Sequence, residues 1–436
     1  MEKTDSATHT PPPRVRRRLA ALARRRPIRR LRSIASRLDI PLWIVGGAVR
    51  DALDGREPLE IDVAAAGCEP LARAMESAGA GKAVVLSEAS PRVYRIAGEM
   101  EIDCADVEGD SILADLGRRD FTVNAMAWNL RDGSWLDPYG GAEDLSRRRL
   151  RLISEANLRD DPLRALRAAR FIATHRLIAD RDTRRAVRKV APLLAGAAPE
   201  RIRVELVKLL AAPRAGPALE MARSAGLLEP ALGISPGGRI GSETLRSLDR
   251  DRIRRASPPD RVRLRLALLA DRLRMSPGEA ARWLSGRRFS RDEAGEISAL
   301  LQFAHRARRA STPREDWGWL RDSGTRRAIA LTFLSLCDPR RSSRYRRLAR
   351  LRPVEGKVRV TGGDILEWLS IGPGPRVGAL LREVEIEAMR GAVRSRSAAR
   401  RWLIENSGQG TGEAEFGDRG ENRSDIPAER GSNRDI

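Results

Sequence analysis

The chain has 436 residues, a formal net charge of +23 and a pI near 11.2, so it is long enough for two to four domains and suited to a polyanionic partner such as RNA, DNA or an anionic membrane. An apolar content of 41% suffices for a buried core, while 4% aromatics argues against stacking platforms as the main means of gripping single strands. No apolar run approaches the roughly 20 residues of a membrane span, and Cys68, Cys104 and Cys337 are scattered without a CxxC pair, which speaks for a reducing cytoplasm and against structural zinc.

Residues 1–13 end in PPP and are predicted to be a disordered leader; an Arg-rich start with no apolar centre is not a secretory signal. Residues 14–38 read as two basic helices broken at Pro27. Their modest Leu/Ile/Ala stripe suits either an RNA-facing surface or a packed helix pair. The bland source of so much Arg is a GC-rich genome filling solvated faces.

From Pro41 short β-like runs take over: LWIV, EIDVA, AVVL, VYRIA, EIDCADV and SWLD, with helical stretches between them. They predict an α+β head over residues 39–147. Beyond Leu150 the pattern is almost wholly helical, as in DPLRALRAARFIATHRL and ERIRVELVKLLAA. This predicts a helical neck over 148–235 and a helical body and tail over 236–404, with a Pro/Gly-rich joint near 231–238. Residues 405–436 carry almost no large apolar side chain and are predicted to be disordered. No internal repeat is visible.

The most informative stretch is LWIVGGAVRDALDGREPLEID, residues 42–62. A strand, a Gly-Gly turn and a helix start let backbone approach an anion closely, and the free N–H groups of a helix start favour it. Arg50 adds a candidate charge-assisted contact to a triphosphate. Glu60 and Asp62 alternate on a predicted strand, so they share one face about 7 Å apart. Two acids there repel unless a cation lies between them, and Mg²⁺ prefers carboxylate plus phosphate oxygens. A solvated strand edge is the plain alternative. Glu101 and Asp103 alternate likewise, and either is a candidate third acid. Arg118, Arg119 and Asp120 then precede Asn124 in LADLGRRDFTVNAMAWN, which also reads as a basic loop before an apolar helix.

GGAVRD, the Glu-x-Asp doublet, RRDFTVNAMA, DPYGGAEDL, DDPLRALRAARF and ERIRVEL occur in that order. Together they resemble the class II tRNA nucleotidyltransferase and bacterial poly(A) polymerase family over residues 30–235. VTGGDILEWLSIGPGPRVGALL resembles the C-terminal body of its CCA-adding members. The resemblance implies a polymerase-β-like nucleotidyltransferase head followed by all-helical neck, body and tail. It implies that Gly46, Gly47 and Arg50 meet the triphosphate, that Glu60 and Asp62 bind metal, and that Asp103 rather than Glu101 is the third acid. Arg119 falls at a nucleotide-contacting position. Asp161 and Arg164 match the pair that reads the incoming base, and as i and i+3 on a helix they are expected to be neighbours. Arg167 and Arg170 match positions near the nucleotide, although Arg170 is expected to point away from Asp161.

The activity implied is template-independent addition of CCA to the 3′ end of tRNA from CTP and ATP, by two-Mg²⁺ nucleotidyl transfer with loss of pyrophosphate. Poly(A) polymerase and partial CC- or A-adding activity are the enzymatic alternatives. Glu60 stands where the family usually has Asp, and Asp160 where it tends to have Glu, which keeps an impaired RNA-binding homologue in view. The three histidines, His9, His175 and His305, are not followed by Asp, which argues against the His-Asp phosphohydrolase domain that some members carry. The partners implied are tRNA or another RNA 3′ end and nucleoside triphosphates in the cytoplasm, with no membrane.

Overall fold

The two glycines after the first strand set the geometry of the head. In the computed structural model, β1 (Leu42–Val45) runs into Gly46, which turns the chain at φ 63°, and the helix Gly47–Asp54 starts at once. The structure describes residues 11, 13–58, 60–89, 91–234, 240–309, 327–350 and 358–406. The predicted leader (apart from residues 11 and 13), the second half of the 231–238 joint and nearly all of the predicted C-terminal tail lie outside them.

In chain order the head contains α1 (Pro13–Ala23), α2 (Arg26–Arg37), β1, α3 (Gly47–Asp54), β2 (Glu60–Ala65), α4 (Cys68–Ser77), β3 (Lys82–Ser87), β4 (Val93–Ala97), β5 (Glu101–Asp106), α5 (Ile112–Gly117), β6 (Ala127–Asn129), β7 (Trp135–Leu136) and α6 (Gly141–Ser146). The strands form one sheet in the order β3-β4-β5-β2-β1-β6-β7. Only β2 and β5 pair in parallel, with Asp62 opposite Asp103 and Glu60 opposite Glu101.

The alternation of each strand decides which face it buries. Ile44, Ile61, Val63, Ile96, Ile102 and Cys104 join the apolar sides of α1 to α4 in one core. The basic N-terminal helices therefore pack through Leu19, Leu22, Ile28, Leu31 and Ile34, all buried. Pro27 lies in the first turn of α2, where a missing N–H costs nothing. On the opposite face Val45, Ala64, Leu116, Ala125 and Ala127 make a smaller core, and beside it lie the polar positions of β2, β4 and β5.

The neck begins at β8 (Arg149–Leu150) and α7 (Glu155–Asp160), followed by α8 (Leu163–His175), β9 (Ile178–Ala179), α9 (Arg181–Val190) and α10 (Pro199–Ala211). The pairing of β8 with β9 is a departure from the all-helical expectation. It arises because α8 ends at Arg176 in the left-handed conformation and buried Leu177 draws the chain out extended. Further helices continue this unit through residue 350, and residues 358–406 belong to a second unit. The latter is a three-helix cluster (Gly362–Leu369, Pro375–Met389 and Arg396–Asn406) around Ile365, Val384, Ala399 and Leu403. Among the described residues no helix is long and apolar enough to cross a membrane.

Candidate active site

Gly46 and Gly47 face the acids of β2. A Cβ at Gly46 would lie 2.7 Å from Arg119 Nη1 and 3.6 Å from Asp62 Oδ2, and one at Gly47 would lie 3.4 Å from the same carboxylate oxygen. The positive φ at Gly46 is what favours glycine there, and a Cβ would also displace the end of the Arg119 side chain. Arg119 is held there by Asp115, whose Oδ2 accepts from Nη2 at 2.9 Å and Nε at 3.2 Å.

Asp62 is the electrostatic centre. Burial pushes its carboxyl above the ordinary value; Arg119 pulls it down, while Asp103 and Glu60 push it further up. No hydrogen bond or ion pair with a described side chain closes on Asp62 or Glu60. Asp103 is different. Arg95, its cross-strand partner on β4, donates from Nε to Oδ1 at 2.7 Å and from Nη2 to Oδ2 at 2.8 Å, and its Nη1 lies 3.2 Å from Glu101. Both oxygens of Asp103 are therefore engaged. Among the described residues no three acidic, histidine or cysteine side chains form a closed metal cage. What remains is an open acidic pair whose mutual repulsion Arg119 and Arg167 offset only in part at Asp62, which suits Mg²⁺ held by one or two carboxylates and completed by phosphate and water.

Below the turn lies a buried polar chain. Arg50 is buried; it donates from Nη1 to Asn124 Oδ1 at 2.7 Å, pairs with Asp51 at 2.8 Å and stacks 5.0 Å over Phe171. Its fork is held by Asn124 and Asp51, with Nη2 3.5 Å from where a Cβ at Gly47 would lie, so it braces the turn against α8. Asn124 Nδ2 donates to Asp120 Oδ1 at 2.8 Å. Burial tends to raise the Asp120 carboxyl, but Arg167, Asn124 and the Phe121 N–H outweigh it and hold it below the ordinary value. Arg167 Nε sits 2.9 Å from Asp120 Oδ2, yet neither atom forms an aligned hydrogen bond.

The expected base-reading pair is arranged otherwise than predicted. Asp161 is extended (φ −136°, ψ 94°) and precedes Pro162, with α8 starting at Leu163. A residue before proline is driven out of the helical region, so Asp161 and Arg164 straddle the helix start rather than sharing a helix face. Asp161 Oδ2 pairs with Arg201 at 2.8 Å, while Arg164 Nη1 donates to the carbonyls of Arg118 (2.6 Å) and Asn157 (3.1 Å). Arg170 turns to Glu205 and lies 4.2 Å over Phe171, away from Asp161 as expected. Asp115, Arg95 and Phe171 are not singled out by the sequence reading. Asp115 could have been found, since it stands four residues before Arg119, the spacing of helix-surface pairs; Arg95 meets Asp103 only across a strand pair, and Phe171 meets Arg50 only in the fold.

Residues 42–151 match the family model described as the poly A polymerase head domain, and residues 179–237 match the one described as the probable RNA and SrmB-binding site of polymerase A. The CC-adding tRNA nucleotidyltransferase of Synechocystis sp. is 31% identical over 388 residues, covering 82% of this chain and 91% of its own. The chain belongs to the tRNA nucleotidyltransferase and poly(A) polymerase family. As a member it is a nucleotidyltransferase with the polymerase-β-like head and helical remainder of that family. The CCA-adding enzyme of Geobacillus thermodenitrificans is 30% identical over 84% of this chain and 93% of its own. Among solved structures, the Bacillus stearothermophilus CCA-adding enzyme in complex with CTP superposes with a TM-score of 0.67 at 26% identity, over 88% of this chain and 98% of that one.

Proposed function

We propose that this nucleotidyltransferase extends the 3′ end of tRNA in the cytoplasm without a template, transferring CMP from CTP and AMP from ATP and releasing pyrophosphate. The observation that carries the reading is the convergence of the Gly46-Gly47 turn, Arg119 and the Glu60–Asp62 pair, whose mutual repulsion raises the Asp62 carboxyl despite Arg119. Gly46 and Gly47 admit the triphosphate to the start of α3, and Arg119 offers it positive charge across the turn. Two Mg²⁺ ions held by Glu60 and Asp62, with Asp103 joining when its pairing with Arg95 opens, would supply Lewis-acid charge at the RNA 3′-hydroxyl and the α-phosphate.

Arg167 lies within electrostatic reach of Asp62 and is itself paired with the buried Asp120. Asp161 and Arg164 read the base edge after exchanging their partners, Arg201 and two backbone carbonyls, for it; an acceptor and a donor fork suit cytosine or adenine. Arg50 and Arg170 act from beneath, through Phe171.

A second reading, addition of CC alone, is favoured by the name of the Synechocystis relative that matches most of the chain. Incubating the full-length protein with tRNA lacking its 3′ end, CTP, ATP and Mg²⁺, then sequencing the products, tests both. A CCA end is expected. A CC end selects the second reading, a long A tract selects poly(A) synthesis, and no extension with Mg²⁺ or Mn²⁺ overturns the enzymatic reading in favour of an impaired RNA binder.

A further inference from the structure

A cavity of about 390 Å³ opens at the C-terminal end of α8, away from the acids of β2, and arginines dominate its wall. Arg56 follows α3, Arg176 follows α8, Arg214 lies just after α10, and Arg254 and Arg255 come from the short helix Asp251–Arg254 and the residue after it. Against these five guanidinium groups stands one carboxylate, Asp251, and it is spent on Arg254 at 2.8 Å. Arg56 is tied to Asp54 and to the Thr174 carbonyl. The side chains of Arg176, Arg214 and Arg255 have no hydrogen bond or ion pair with a described residue, and Arg254 Nε is buried without a hydrogen-bond partner.

The frame is rigid where the cations are free. Arg265, wholly buried, donates to the carbonyls of Leu248, Ala212 and Pro213, so the backbone leading into Arg214 is stapled to the helix Pro258–Arg272. Arg176 is held at φ 55°, a conformation unfavourable for a side chain of this size. Cations gathered in this way repel one another unless an anion sits among them.

We propose that this cavity is a phosphate seat for the RNA backbone, placed at the far end of α8 from the base-reading residues. The occupant follows from the lining. No aromatic face, Asn or Gln is present to read a base, so the contact positions the strand without reading it, and guanidinium forks match phosphate oxygens. The 13 residues of α8 span about 20 Å. An RNA whose 3′ end lies at the N-terminal end of α8 therefore rests its stem on the seat as a second anchor, which fixes how far the end projects. This inference rests on the proposed RNA 3′-end activity and adds a place where the substrate is held.

The test is the variant Arg214→Gln/Arg255→Gln of the full chain; both side chains are exposed and unpaired, so folding is not at stake. Affinity for tRNA lacking its 3′ end is measured from 50 to 300 mM KCl alongside single-turnover CMP incorporation. The expected result is tRNA affinity about 10-fold weaker at low salt, a log–log salt slope smaller by about 1.5 for two lost phosphate contacts, and an unchanged rate at saturating tRNA. Unchanged affinity and slope, with incorporation intact, overturn the seat and leave the proposed activity standing. If inorganic phosphate or pyrophosphate protects the wild type but not the variant from thermal unfolding while tRNA affinity stays equal, the cavity takes a small anion and the RNA assignment fails. A wild type that neither binds tRNA nor incorporates CMP removes the activity, and the seat with it.

Discussion

At the scale of single residues, function and stability oppose each other at Asp62. Its charge is disfavoured by burial and by Asp103 and Glu60, so Asp62→Asn relieves repulsion in the metal-free protein. The sign follows from linkage: a carboxyl whose folded value is raised weakens the fold as pH rises and it ionises. Asp62→Asn is therefore expected to raise the thermal midpoint at pH 7.5 in EDTA, to lose that advantage when Mg²⁺ is added, and to lower incorporation by at least about 10³-fold. A midpoint equal to wild type in EDTA would contradict this electrostatic picture. Arg95 gives a complementary test. Because it occupies both oxygens of Asp103, Arg95→Gln frees a third acid beside Asp62. The variant should bind Mn²⁺, followed by its paramagnetic signal, several-fold more tightly than wild type; equal or weaker binding argues that Asp103 has no access to the ion.

At the scale of elements, α8 ties the site to its support. Phe171 is fully buried and lies under the guanidinium groups of Arg50, Arg167 and Arg170, at 5.0, 5.7 and 4.2 Å. Phe171→Ala leaves a cavity and takes the aromatic face from one buried and two half-buried guanidinium groups, and should cost about 3–5 kcal/mol in urea unfolding. The same helix ends in His175, whose Nε2 lies 3.1 Å from Asp51 on α3. Burial holds the imidazole below its ordinary value; Asp51 opposes this and Arg50 and Arg56 add to it. Stability from such a histidine is complete above about pH 6.5 and is lost as pH falls through its depressed value. The thermal midpoint should thus drop between pH 7 and pH 5, and His175→Gln should flatten that dependence.

These contacts also show where reading the chain stops. Strands β2 and β5 are legible from alternation, β1 from its short apolar run before Gly-Gly, and the shared face of Glu60 and Asp62 likewise, because a period of two is a local property. The clamp on Asp103 was not, since Arg95 meets it only across a strand pair. Asp161 is instructive in the other direction: Pro162 was visible in the sequence and forbids helix before it, yet the helical pattern of LRALRAARF was extended one turn too far.

For the whole molecule, a net charge of +23 over 436 residues is offset at the site by acids and left exposed elsewhere, as in the arginine cavity behind α8. Charge read from composition points to a polyanionic partner but gives no location, because the sum does not say which arginines are already paired. Many are: Arg149 and Arg151 close on buried Asp144, and Arg265 on backbone carbonyls. The account as a whole depends on the face bearing Gly46, Asp62 and Arg119 being where nucleotides are joined to RNA. The most direct measurement is incorporation of radiolabelled CTP into tRNA lacking its 3′ end by wild type and Asp62→Asn, each first shown to bind that tRNA equally. The account predicts labelled product from the wild type alone; labelling that survives in Asp62→Asn at the wild-type rate would contradict it.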